Sequence, residues 1–401
     1  MNSVVVIESN TSGTGRIFLK RIIDYGYEPV FLTKNPQLYN FLKDFEYINI
    51  FEVDTENIKK ILEICEFIQN NGDDICGVFS SSEYYIQITA EVADSLNLPG
   101  ADSNAIKNCR NKYIQNQILS LAGLHIPKTY LIKDATEIEK NLIGLNFPMI
   151  AKPIEGSGSV GVKICKSMFE LKKHCCELLS KKSNERGMSI DNKVLIEEYI
   201  EGEEFSAEVF NGKLIGITKK YLGELPFFVE IGHDYPAELK KDIKDRIESD
   251  ICRAVEALGL RWGACHVEFR LKSQYVYFIE INPRLAGDLI PELVKYAQGI
   301  DLVDNQLRMA LGLQSDLKRT RSKRAGIRFF EPEKSGEIKS FLVDSYKNES
   351  GIIEIKQYKK KGDYIKKTGD FRERAGHIIF DINKLEIDRL DQILTQSLFI
   401  S

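Results

Sequence analysis

The sequence predicts a multidomain protein of mixed α/β and α+β class, and three observations carry that prediction. The chain has 401 residues, beyond what one hydrophobic core usually serves, so two to four packed lobes are expected. From Val4 to Ser80 short apolar runs alternate with helix-period stretches, the pattern of a parallel sheet covered on both faces. Further along, short strands separated by glycine turns imply antiparallel sheets.

Taken in order, VVVIE (Val4 to Glu8) reads as a buried strand, SNTSGTG as a glycine loop and IFLKRIIDYGY as a helix. Strands follow at Pro29 to Thr33, near Ile48 to Val53 and at Cys76 to Ser80, with a helix over Ile58 to Ile68. A helix is predicted from Cys109 to Leu121, ended by Gly123 and Pro127 before the strand KTYLI. Two strands flank EGSGSVG, a helix covers Met168 to Leu179, and VLIEEYIEGEEFSAEVF supplies two more strands. Lys213 to Lys220 and Tyr275 to Ile281 alternate as antiparallel strands do, with an amphipathic helix over Ala237 to Leu258 between them. GACHVEFRL and YVYFIEINPR form a hairpin joined through KSQ, and helices follow at Ile290 to Gln298 and Leu302 to Leu311. Beyond Arg324, AGIRFF and HIIFDI suggest a last small sheet.

Composition narrows the function. Hydrophobic residues make up 43% and charged residues 28%, which argues for a globular chain without long disordered tracts. A formal charge of −4 with dispersed Lys and Arg gives no nucleic-acid-binding surface. No apolar stretch is long enough to span a bilayer and no leader pattern opens the chain, so a cytoplasmic protein without a membrane partner is expected. The 8 cysteines form no CxxC pair, so neither a zinc site nor a disulfide framework is indicated.

The sharpest chemical feature is the pair HVEFR and IEINPR. If the strands pair, Glu268, Glu280 and Asn282 come together, the last two on one face because they are two residues apart. Two carboxylates and an amide oxygen among apolar strands call for counter-charge. Divalent ions shared with substrate phosphates would supply it, as Mg²⁺ usually does, and pairing with Arg270 and Arg284 alone is the alternative. Arg284 shares that face, aimed at an oxyanion or paired with Glu280. His266 shares the face of Glu268, with its reach undecided.

In EGSGSVG (Glu155 to Gly161) backbone N–H groups can turn around phosphate oxygens, although a plain flexible hairpin explains it too and no Walker sequence follows. Lys152, just before it in an apolar strand, needs a counter-charge that a nucleotide phosphate would provide. In VLIEEYIEGEEF a hinge at Gly202 can read an adenine edge and Glu204 can accept ribose hydroxyls; an ordinary acidic hairpin is the alternative. The opening GxG lacks the third glycine of a dinucleotide fingerprint and reads as a structural turn or substrate-lobe loop.

Together these elements resemble an ATP-grasp ligase over roughly Ala101 to Leu313, preceded by a Rossmann-like pre-grasp domain. VIESNTSGTG, VEIGHDYPAEL and EINPRLAGD are similar to carboxylate–amine ligases acting on amino acids, including L-amino-acid ligases. The resemblance implies a pre-grasp domain over 1–105, a linker helix and lid over 106–205, a catalytic subdomain over 206–320 and a completing α+β element over 321–401. It implies Lys112 and Lys152 on the phosphates, Gly156, Ser157 and Gly158 as phosphate cover, Glu197, Tyr199 and Ile200 around adenine, and Glu204 on the ribose. Glu268, Glu280 and Asn282 become ligands of two Mg²⁺ ions, with Mn²⁺ as a substitute. Arg284, with Lys152, becomes catalytic, steadying the transferred phosphoryl group.

In such ligases the loop around His233 closes on the substrate carboxylate; a solvent-exposed loop histidine is the alternative. Gly287 and Arg284 join it as substrate-binding residues, and Tyr221, Phe227 and Phe228 as pocket lining. The implied reaction spends ATP to turn a small carboxylate into an acyl phosphate that an amine attacks. The alternatives are a carrier-protein thiol as acceptor, a bicarbonate-activating enzyme and a catalytically idle ATP binder. The resemblance is compatible with a homodimer.

Overall fold

In a computed structural model, which describes residues 2–11, 14–46, 48–134, 136–141, 144, 146–156, 158–184 and 186–401, the opening apolar run becomes β1 (Asn2–Ile7), buried from Val4 to Ile7. Then come α1 (Gly15–Asp24), β2 (Glu28–Thr33), β3 (Asn49–Glu52), α2 (Ile58–Asn70), β4 (Asp74–Phe79) and α3 (Ile86–Ser95). The four strands lie parallel in the order β3-β2-β1-β4. Strand order reverses between β1 and β4, and a crevice opens outside their carboxyl ends, where such sheets bind ligands.

The single helix expected from Cys109 to Leu121 is two, α4 (Ser103–Arg110) and α5 (Lys112–Leu121). Asn111 breaks it: its backbone leaves the helical region (φ −86, ψ 102) and its side chain accepts from the N–H groups of Tyr113 and Ile114. An asparagine N-cap competes well with helix continuation, and the break puts Lys112 at the first position of α5. A four-stranded antiparallel sheet follows, built from β5 (Thr129–Ile132), β6 (Met149–Pro153), β7 (Lys163–Cys165) and β8 (Val194–Glu198) in the order β5-β8-β6-β7, with α6 (Thr136–Asn141) and α7 (Met168–Leu179) in its connections.

The rest of the chain supplies β9 (Glu203–Phe210), β10 (Lys213–Leu222), β11 (Glu230–Tyr235), α8 (Lys241–Ala257), β12 (Ala264–Lys272), β13 (Tyr275–Asn282), α9 (Ile290–Gln298), α10 (Leu302–Ala310) and β14 (Ala325–Phe330). It continues with β15 (Gly336–Phe341), β16 (Ile352–Gln357), β17 (Tyr364–Ile365), β18 (Gly376–Asp381), α11 (Ile387–Ser397) and β19 (Leu398–Ile400). Eight of these strands form one sheet, β13-β12-β9-β10-β11-β14-β18-β16, and β17-β15-β19 form a small one. α8 buries Ile247, Ile251, Ala254 and Val255 in a core shared with Phe205, Val267 and Phe269. Each of the isoleucine and valine side chains contributes about 1.5–3 kcal/mol of burial. Among the described residues no helix is long and apolar enough to cross a membrane.

Two further expectations are corrected. The GHDYPA segment is not a loop, because its first four residues lie in β11, with His233 opposite Lys220 of β10 and Ile327 of β14. AGIRFF and HIIFDI do not make a separate sheet, since β14 and β18 extend the large one. In both cases one partner strand lies far away in sequence, β14 for β11 and β18 for β14, where local periodicity carries no signal.

Candidate active site

A cleft of about 890 Å³ lies between the four-stranded antiparallel sheet and the large sheet, lined by Lys112, Lys152, Gly156, Gly158, Glu197, Tyr199, Ile200, Glu204, Glu268, Glu280, Asn282 and Arg284. Ser157 lies outside the described residues. One wall begins with the β8–β9 connection. A Cβ at Gly202 (φ +149) would meet the Leu271 carbonyl oxygen at 2.1 Å, so only glycine lets this hinge cross β12. Arg270 then ties the hinge down, donating to the Ile200 carbonyl at 3.0 Å and to Glu204 at 2.8 and 3.0 Å, with its guanidinium over the Tyr199 and Phe228 rings. Lys152 is not short of a counter-charge. Its Nζ lies 2.7 Å from Glu197 Oε2, and Asn116 donates to the other oxygen of that carboxylate at 3.1 Å.

The hairpin forms in the register that pairs Glu268 with Glu280 and His266 with Asn282. The two arginines do not neutralise these acids, since Arg270 turns to Glu204 and Arg284 to Glu83. Glu280 lies 2.8 Å from Lys112 Nζ, which also donates to the Gly156 carbonyl at 3.1 Å. Burial, with Glu83 and Glu268 nearby, raises the Glu280 carboxyl above its ordinary range despite Lys112. A buried carboxylate in that condition marks a place short of positive charge, and two carboxylates with an amide oxygen are the donor set a hard divalent cation takes. The residues therefore fit Mg²⁺.

His266 reaches the site. Its Nε2 lies 3.1 Å from Glu268 and its Nδ1 3.0 Å from Glu208. Burial opposes its charge, but these two carboxylates raise it to about 9. Lys220, which no motif singled out, sits buried among Glu230, Glu268 and Glu204 at 2.5, 3.1 and 3.4 Å, in charge contacts without aligned hydrogen bonds. Burial alone would lower its pKa; the three carboxylates hold it well above the usual lysine value. Glu230, Glu268 and Glu204 offer oxygens within 4.8 Å of one another, and burial pushes Glu230 up to about 8, with Asp288 and Glu268 adding to it against Lys220.

A second cavity, of about 1790 Å³, shares Gly158, Ser159, Phe228, Glu230, Glu268 and Arg284 with the first. Glu83 accepts from Arg284 Nε at 2.8 Å and Nη2 at 2.5 Å, while Arg284 Nη1 donates to the Leu285 carbonyl at 2.8 Å. Asp288 accepts from both Nη atoms of Arg374 at 2.6 and 2.9 Å and lies 3.0 Å from His233 Nε2. Burial works against its charge, yet Arg374 and His233 hold the Asp288 carboxyl well below the usual range. His233 is thus no exposed loop histidine but a buried group on β11, positioned behind Asp288. Gly287, in the turn before α9, lines this cavity.

Of the aromatic residues expected here, Phe228 lines both cavities, Tyr221 instead donates to Asp234 at 2.7 Å, and Phe227 packs beside Gly369. The opening glycine loop contributes Asn10, Thr11 and Thr14. Glu83, Lys220, Glu230, Asp288 and Arg374 escaped the sequence reading. A buried lysine in β10 two residues beyond Thr218 could have been noticed, whereas Arg374 sits in a segment with no motif. That segment also shapes the glycine loop, because a Cβ at Gly158 (φ +63) would meet the Phe371 ring at 2.8 Å.

Comparison with known proteins gives a match between residues 145–292 and the ATP-grasp domain family. The chain is 31% identical over 381 residues to the uncharacterized protein y4rH of Sinorhizobium fredii, covering 94% of this chain and 78% of that one. It is 24% identical over 313 residues to mouse carnosine synthase 1, covering 73% of this chain but 38% of that longer protein. The crystal structure of an L-amino acid ligase from Bacillus licheniformis superposes with a TM-score of 0.81 over 100% of this chain and 98% of that one, at 22% identity, and so has the same fold.

Proposed function

Because the chain belongs to the ATP-grasp superfamily of ATP-dependent, ADP-forming carboxylate–amine ligases, we propose that it activates the carboxylate of an amino acid, or of a related small acid, and joins it to an amine. The observation that carries the amino-acid reading is the second cavity. It opens on the same residues as the nucleotide cleft and sets guanidiniums (Arg284, Arg374) beside carboxylates (Glu83, Asp288, Glu230), a wall that suits a zwitterion.

In this reading adenine lies against the Tyr199–Ile200 hinge, braced by Arg270, with the ribose toward Glu204. Lys112 and Lys152 face the phosphates, and the Gly156–Gly158 loop covers them and keeps water from the intermediate. Glu268, Glu280 and Asn282 hold two Mg²⁺ ions, or Mn²⁺ in their place, which when bound neutralise the phosphate oxygens. The substrate carboxylate oxygen takes the γ-phosphoryl in line as the bond to the β,γ-bridging oxygen breaks, leaving ADP and an acyl phosphate. The amine nitrogen then attacks the acyl carbon and phosphate leaves. Arg284, fixed by Glu83 and by the Leu285 carbonyl, holds its charge where both steps develop negative oxygen. The ATP requirement favours a cytoplasmic location.

The test is release of ADP and phosphate from MgATP across single and paired amino acids, with mass spectrometry of the products. Release that needs a particular pair and yields its condensation product is expected. Release only when a carrier thiol is supplied would replace the amine acceptor, and no release with any mixture would overturn the ligase reading.

A further inference from the structure

Behind Arg284 lies a third cavity, of about 650 Å³ when the open space at its mouth is included, that shares Asn10, Thr14, Arg284 and Leu285 with the second. It occupies the crevice outside the carboxyl ends of β1 and β4, where the strand order of the parallel sheet reverses, the place at which open α/β sheets take ligands. Its mouth is polar: Ser9 and Ser81 hydroxyls share a hydrogen bond at 2.9 Å, and the Asn10 N–H donates to Ser81 at 3.1 Å. Its interior is mostly apolar, walled by Phe18, Phe79, Ile86, Ala93, Ile106 and Trp262. Phe18, Phe79, Ala93 and Ile106 are buried, whereas Ile86 and Trp262 keep part of their surface open.

An apolar pocket with a polar mouth and the Arg284 guanidinium at its edge matches an amphiphile with a charged head and a hydrocarbon tail. We infer that this crevice is a specificity pocket for the apolar side chain of an amino-acid substrate whose head group stays at Arg284. The inference rests on the amino-acid reading above. It makes the enzyme selective for leucine-sized over alanine-sized side chains, because the pocket gains burial from each added methylene.

Trp262 is the chain's one tryptophan, so its fluorescence reports the pocket without turnover. With ADP and Mg²⁺ present, L-leucine should change Trp262 emission saturably, and L-alanine should need about tenfold more or give no change. Filling the pocket with Ala101→Phe should raise the L-leucine half-saturation about tenfold while ADP affinity is retained. The smaller Ala101→Val should give a graded rise if the larger side chain impairs folding. Equal half-saturation for the two amino acids, or an unchanged L-leucine titration in both variants, would overturn the pocket. The titration needs no catalysis, so a ligase assay that fails while L-leucine still titrates Trp262 discards the reaction and keeps the pocket.

Discussion

In the first cleft two carboxylates and an amide come from one hairpin: Glu268, Glu280 and Asn282 lie on β12 and β13, with Glu268 directly opposite Glu280. In the cavity beside it three buried polar pairs join distant segments, Glu83 to Arg284 across 201 residues, Asp288 to Arg374 across 86 and His233 to Asp288 across 55. The first arrangement follows from strand periodicity and a short turn. The second needs segments from distant parts of the chain to be packed. The acid–amide set is thus legible in local spacing, whereas the pairs of the second cavity depend on tertiary contacts, which can be altered one segment at a time.

The contrast can be broken or sharpened by substitution. Glu280→Gln removes a carboxylate from the hairpin and frees Lys112, so kcat should fall about 10³-fold without loss of the folded state, read by steady-state kinetics beside circular dichroism. A fall under tenfold would remove Glu280 from the metal set. Arg374→Ala leaves Asp288 buried without its bidentate partner and should cost about 3 kcal/mol in urea unfolding. It should also raise KM for the amino acid and leave KM for ATP alone; equal rises would mean that the two cavities are not separate in function.

Arg284→Lys keeps the charge and loses the fork that grips Glu83, so kcat should drop about 10²-fold. The smallest effect is the pH dependence of His266. Its folded-state pKa is raised from 6.5 to about 9, so its contribution to stability is complete below pH 6.5 and disappears as pH rises through 9. Thermal unfolding followed from pH 6 to 10 should show that loss, and His266→Gln should flatten it.

Sequence by itself determined the elements whose signal is local. α9 and α7 begin and end where their periodicity says, the acidic hairpin is readable from the two-residue spacing of Glu280 and Asn282, and the glycine loop sits between two strands as its flanks imply. Even a local reading failed where one side chain competed with the backbone, as at Asn111, whose cap splits a continuous helical pattern.

Only the tertiary structure decided that the GHDYPA segment enters a strand, that residues 325–381 extend the main sheet, and that Lys220, Glu83, Asp288 and Arg374 face the site. The physical reason is the reach of each signal. Side-chain period and capping act within a few residues and leave their mark in the sequence. A buried charge is tolerable only if an opposite charge reaches it in space, and that partner can come from anywhere in the chain.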